Sequence, residues 1–78
     1  MFIEINSSEN WEKLLLEAKN GNNLAQLEVA FYYENGIEIN GVEILKANDL
    51  EGFKWTKKAY ENGNLEALVG YADYLSLG

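Results

Sequence analysis

The sequence predicts an all-α fold, an α–α solenoid of two stacked helix pairs, with a small β-hairpin or an extended loop between them. Three observations carry that expectation. The chain matches itself at an offset of 42 positions. Asn20, Gly21, Asn22, Ala25, Ala30, Tyr32 and Gly36 fall on Asn62, Gly63, Asn64, Ala67, Ala72, Tyr74 and Gly78, and Leu27 falls on Val69. Self-similarity at a period of about 20–50 residues marks a repeat architecture. Apolar residues recur at helical spacing in four stretches punctuated by glycine. Finally, Asn40-Gly41 sits between alternating apolar and acidic residues, the short-range signal of a two-residue hairpin turn.

The first helix is expected near residues 8–19. Asn6 and Glu9 have capping-box spacing, with Ser7 and Ser8 as rival caps. Trp11, Leu14, Leu15 and Ala18 share one stripe at about 100° per residue. Gly21 stops this helix, and Lys19 complements the negative end of its dipole. The second helix, about residues 23–34, carries Leu24, Ala25, Leu27, Val29, Ala30, Phe31, Tyr32 and Tyr33. Apolar side chains point nearly all round it, so burial on more than one side is expected. Gly36 closes it.

Ile37, Ile39, Val42 and Ile44 alternate with Glu38 and Glu43 about Asn40-Gly41, as a half-buried hairpin would; the alternative is a loop with its isoleucines tucked under the helices. Phe2 to Ile5 offers a third short strand. The third helix starts at Asn48 or Asp49 and runs to Asn62 and Gly63. Its apolar side holds Phe53, Thr56, Ala59 and Tyr60, flanked by Trp55. The fourth, about residues 65–77, is expected to set Leu65, Leu68, Val69, Ala72 and Leu75 inward.

Each unit thus reads as helix, Gly-Asn turn, helix, glycine, and at this level the chain resembles the Sel-one-like repeat family, relatives of the tetratricopeptide repeats. The second unit matches through Trp55, Lys58, Ala59, Gly63, Asn64, Ala67 and Gly78, and the first through Ala18, Gly21, Asn22, Ala25, Gln26, Val29, Tyr33 and Gly36. The family's helix-contact glycine is Ala30 and Ala72 here; its leucine is Tyr71 and its tyrosine Leu75 in the second unit. The offset of 42 is longer than the family's usual spacing, and the hairpin takes up the excess. The resemblance implies one helical-repeat domain over residues 1–78: repeat 1 at about 8–36, an insert at 37–48 and repeat 2 at about 49–78. It also implies a non-catalytic scaffold that binds other proteins, and fixes no particular partner. In physical terms the repeated alanines allow close helix approach, and the tyrosines and tryptophans fill the space between layers.

Composition narrows the function. Net charge is −7, from 13 acidic and 6 basic residues, and the chain has neither histidine nor cysteine. Ser-His-Asp and Cys-His chemistry and thiolate or imidazole metal sites are thereby excluded. Setting the acid-rich stretch Glu34–Glu43 on a calcium-loop template puts Gly36 and Ala47 at ligand positions, so it fails. No cofactor and no metal are expected. Acidity argues against nucleic acid and for a basic protein partner. No apolar run approaches the ~20 residues of a membrane span, and the first residues lack a signal-peptide pattern, so no membrane and a cytoplasmic location are expected.

What remains is recognition by surface. Helical repeats commonly present the first helix of each pair to a ligand. The candidate contacts are therefore Glu9, Glu12, Lys13, Leu16 and Glu17 on the first helix, and Glu51, Lys54 and Lys58 on the third. Leu16 lies about 140° from Trp11, off the apolar stripe, either exposed for a partner or covered by residues 2–5. The expectation is a protein-interaction module with an acidic surface for a basic partner. An immunity protein neutralising a basic toxin such as a nuclease is the alternative, and a small hydrolase the weakest reading. Repeat arrays normally need about three units. Two units therefore imply the N-terminal part of a longer array, or self-association through a C-terminal helix face that leaves some of Leu65, Leu68, Tyr71, Leu75 and Leu77 bare.

Overall fold

Ser7 begins the first helix. In the computed structural model, which describes residues 7–77 and the side chains of residues 7–72, its Oγ accepts from the Asn10 amide at 3.2 Å and donates to Asn10 Oδ1 at 3.0 Å. Ser7, one of the rival caps, is thus the N-cap of this helix; Asn6, with its expected box to Glu9, and the expected strand at 2–5 lie outside the described residues. Helix α1 spans Ser8–Lys19 and α2 spans Asn23–Asn35. Strands β1, Ile37–Ile39, and β2, Val42–Leu45, form an antiparallel pair, followed by α3, Asp49–Glu61, and α4, Ala67–Leu77.

The offset of 42 reappears as hydrogen-bond geometry. At the end of α1 the amides of Asn20, Gly21 and Asn22 donate to the carbonyls of Leu16, Ala18 and Glu17. At the end of α3 those of Asn62, Gly63 and Asn64 donate to Lys58, Tyr60 and Ala59. Each donor and each acceptor is displaced by the same 42 residues. Both are Schellman turns, with Gly21 at φ 98° and Gly63 at φ 97° supplying the left-handed residue. Asn22 Oδ1 then caps α2 through the Leu24 and Ala25 amides, each at 3.1 Å. Asn64 Oδ1 takes only the Glu66 amide, at 3.0 Å. Ala67 and Leu68 bond to Asn64 and Leu65 in the tighter three-residue pattern, so α4 starts two residues later than expected.

The hairpin is present. Asn40 at φ 52° and Gly41 at φ 80° form its turn. Glu38 faces Glu43 and Ile39 faces Val42, but Ile37 faces Leu45, so the register slips past Ile44. That bulge lets both Ile44 and Leu45 pack on the core, whereas Val42, expected to be half-buried, is exposed at the tip. The main core holds Trp11, Leu14, Ala18, Ala25, Val29 and Ile37, with Trp55 of α3 packed against it. Trp11 meets the edges of Tyr32 and Tyr33 at 6.2 and 5.6 Å. The second pair is joined by a stack in which Tyr71 lies 5.7 Å from Phe53 and 5.6 Å from Tyr60.

One burial expectation holds through unexpected residues, and one fails in part. Helix α2 is buried on more than one side, as expected, but it buries Gln26 and Glu28 beside Ala25, Val29 and Ala30, while Leu24 and Phe31 face out. Gln26 is tolerated because it is bonded on both sides, as described below. In the last segment Ala67 is inward, whereas Val69 and Ala72, expected inward, are exposed, Val69 at 68%; Leu68 and Leu65, the latter just before α4, are exposed as the expected bare face would leave them, Leu65 at 77%. Among the described residues no further helix stacks on α4 as α3 stacks on α2. Leu75 lies outside the described side chains.

Candidate functional site

Helix α1 presents Glu9, Glu12, Lys13 and Leu16 to solvent and Glu17 half-buried. Leu16 is 59% exposed, which makes it available to a partner. On α3, Glu51 Oε1 lies 3.5 Å from Lys54 Nζ. The Lys58 Nζ sits 5.4 Å from the centre of the Trp55 ring, a cation–π placement. Glu51 and Lys54, and Lys58 and Trp55, are thus brought together. No ion pair among the described residues joins the α1 group to the α3 group. The charges of these two helices nearly balance: Glu9, Glu12 and Glu17 against Lys13 and Lys19 on α1, and Asp49, Glu51 and Glu61 against Lys54, Lys57 and Lys58 on α3.

The remaining elements have a different balance. The chain's lysines are Lys13, Lys19, Lys46, Lys54, Lys57 and Lys58, so α2, both strands and α4 contain none. Between α2 and α4 runs a groove of about 260 Å³, walled by Leu27 and Phe31 from α2 and Val69 from α4, with Thr56 of α3 between them. The charged residues lining it are Glu34 and Glu66. Gly70 lets the helices close here: a Cβ on it would stand 3.3 Å from Thr56 Cγ2, tighter than most such contacts. A glycine inside a helix costs about 1 kcal/mol relative to alanine, so Gly70 was the sequence's own signal of a close crossing.

The hairpin adds a second acidic feature. Glu38 and Glu43 are directly cross-strand and line a shallow depression of about 360 Å³ with Gly36 and Leu45. Like charges placed so are destabilising, so this pair is not there to hold the strands together. Among the described residues no group of three or more His, Cys, Asp or Glu is arranged to hold a metal ion. Tyr33 has a clear shift: burial raises its phenol above 10.0, and the Glu51 carboxylate pushes the same way.

A polar relay missed by sequence reading links the two turns. Gln26 Nε2 donates to the Ala18 carbonyl at 2.9 Å, and Asn62 Nδ2 donates to Gln26 Oε1 at 2.9 Å. Asn23 Nδ2 donates to the Asn62 carbonyl at 2.8 Å, and Asn64 Nδ2 to the Asn23 carbonyl at 3.3 Å. At the positions of Asn23 and Gln26 the second unit has Leu65 and Leu68. The clamp therefore cannot be repeated beyond α4, and the same face is apolar there. No helix among the described residues is long and apolar enough to cross a membrane. Comparison with known proteins finds no matching family model, and no curated protein or solved structure matches significantly.

Proposed function

We propose that this chain is a non-catalytic protein-binding module, two consecutive Sel-one-like repeats in an α–α solenoid arrangement, whose carboxylates draw in a basic protein. The repeat reading is supported by the two Schellman turns, whose bonds correspond at an offset of 42. The single observation that carries the partner's chemistry is the placement of lysine, absent from α2, the strands and α4 while acids remain there. A surface of one sign suppresses partners of the same sign and accelerates capture of the opposite one. Absence of His and Cys supports a binding role over catalysis. Leu16, among Glu9, Glu12, Lys13 and Glu17 on α1, is one candidate contact; Glu51, Lys54 and Lys58 on α3 are a second, and the α2–α4 groove is a third.

The test is capture followed by direct titration. Proteins retained by the immobilised chain, but not by a variant carrying Glu34→Lys, Glu38→Lys, Glu43→Lys and Glu66→Lys, are purified and titrated against it by calorimetry. A basic protein binding the native chain alone is the expected result. A captured nuclease would make the chain an inhibitor, and an assembly component an adaptor. Selective capture of acidic proteins would overturn the reading.

A further inference from the structure

We propose that the groove between α2 and α4, and not the first-helix face, seats the partner, and that its occupant is a basic amphipathic helix. This rests on the binding role proposed above and locates it. The walls are apolar, Leu27 and Phe31 on one side and Val69 on the other, and one carboxylate comes from each side, Glu34 at the end of α2 and Glu66 just before α4. Phe31 is 43% exposed and Val69 68%, a large surface to leave in water for a domain of this size. The groove, about 260 Å³, is smaller than the ~300–1,000 Å³ of small-molecule pockets. It fits one or two apolar side chains, as the anchors of a helix laid in a groove would need.

Charge selects the occupant. An apolar ridge alone would suit any hydrophobic segment, but with Glu34 and Glu66 lining the groove, cations flanking the ridge would gain and anions would be repelled. A second copy of the chain is disfavoured on the same ground. A two-fold contact sets identical surfaces face to face, bringing each Glu34 and Glu66 towards the carboxylates of a copy that itself carries −7. A head-to-tail contact would lay the outer side of α1, where Leu16 stands among Glu9, Glu12 and Lys13, against Leu65, Leu68 and Val69, bringing further carboxylates to a groove already lined by Glu34 and Glu66.

The experiment uses the isotope-labelled full chain and two synthetic peptides of about 18 residues, five helical turns. Both carry leucines along one face; one is flanked by lysines and its twin by glutamates. The lysine peptide should bind saturably, with amide shifts centred on Leu27, Phe31 and Val69, and the glutamate twin should not bind. Glu34→Lys with Glu66→Lys should weaken binding about tenfold. Val69→Gln, which keeps helix propensity while removing the apolar wall, should also weaken it, with circular dichroism unchanged for both variants. Shifts centred on Leu16 and Lys58 would overturn the groove while leaving a basic partner standing. Equal binding of the two peptides would overturn the charge selection on which both proposals depend. No binding by either peptide overturns the groove. Concentration-dependent shifts at Val69 without peptide would name a second copy as its occupant and overturn the proposal.

Discussion

Gly36 is required on two counts. Its φ is 76°, and a Cβ would stand 3.0 Å from the Leu45 carbonyl and 3.1 Å from the Ala47 nitrogen, both backbone atoms. Gly21 has a similarly positive φ of 98° but open space around it. Gly21→Ala should therefore cost only conformational strain, about 1–2 kcal/mol. Gly36→Ala should cost more, about 2–4 kcal/mol, because the start of β1 must move away from the end of β2. Urea midpoints of the two variants check the order; equal losses would contradict it. Tyr33 carries a second residue-scale prediction. Its folded pKa is raised above 10.0 by burial first and by Glu51 second. The unfolded phenol therefore ionises at lower pH than the folded one. Its contribution to stability is whole below pH 10 and is lost as pH rises through the folded pKa. Tyr33→Phe removes that part of the alkaline loss, so the native chain should lose more stability than the variant between pH 9 and pH 11. Parallel curves would show that Tyr33 titrates as it does unfolded.

At the scale of elements, stability of the α2–α3 contact depends on a buried amide as well as on apolar area. Asn62→Ala removes the donor to Gln26 Oε1, on a residue that is fully buried. A buried acceptor left unmade costs about 1–3 kcal/mol, and a double-mutant cycle with Gln26→Leu should return a coupling of about 0.5–1.5 kcal/mol. Additive losses would mean that the relay is incidental. This relay also marks where sequence reading stopped. Gly21, Gly63 and Asn40-Gly41 were legible because a backbone that needs positive φ leaves its mark on the residue itself. Helix existence was legible from Trp11, Leu14 and Ala18 at their spacing. Burial of Gln26 and exposure of Leu24, Phe31 and Val69 were not, because they depend on which helix lies alongside, a relation that periodicity within one helix does not contain. The bulge at Ile44 is a matter of register, which alternation alone leaves open. For the candidate site, the distribution of lysine along the chain was available from the start; its meaning required knowing that α2 and α4 border one groove.

For the whole molecule, charge divides between two sets of elements. Helices α1 and α3 carry mixed charge, and the strands, α2 and α4 carry acid without lysine. Exposed charges of this kind contribute little to folding, so their main effect is on encounter with other molecules. Such attraction is long-ranged but screened, over a Debye length of about 8 Å at physiological salt. The most direct measurement is the association rate of a basic binding partner, the captured protein or the lysine-flanked peptide. It is measured with the native chain and with the variant reversed at Glu34, Glu38, Glu43 and Glu66, across a range of salt. The account predicts a rate that falls steeply with salt for the native chain, is about tenfold or more lower in the variant at low salt, and converges between the two at high salt. A rate independent of salt and unchanged by the reversal would contradict it.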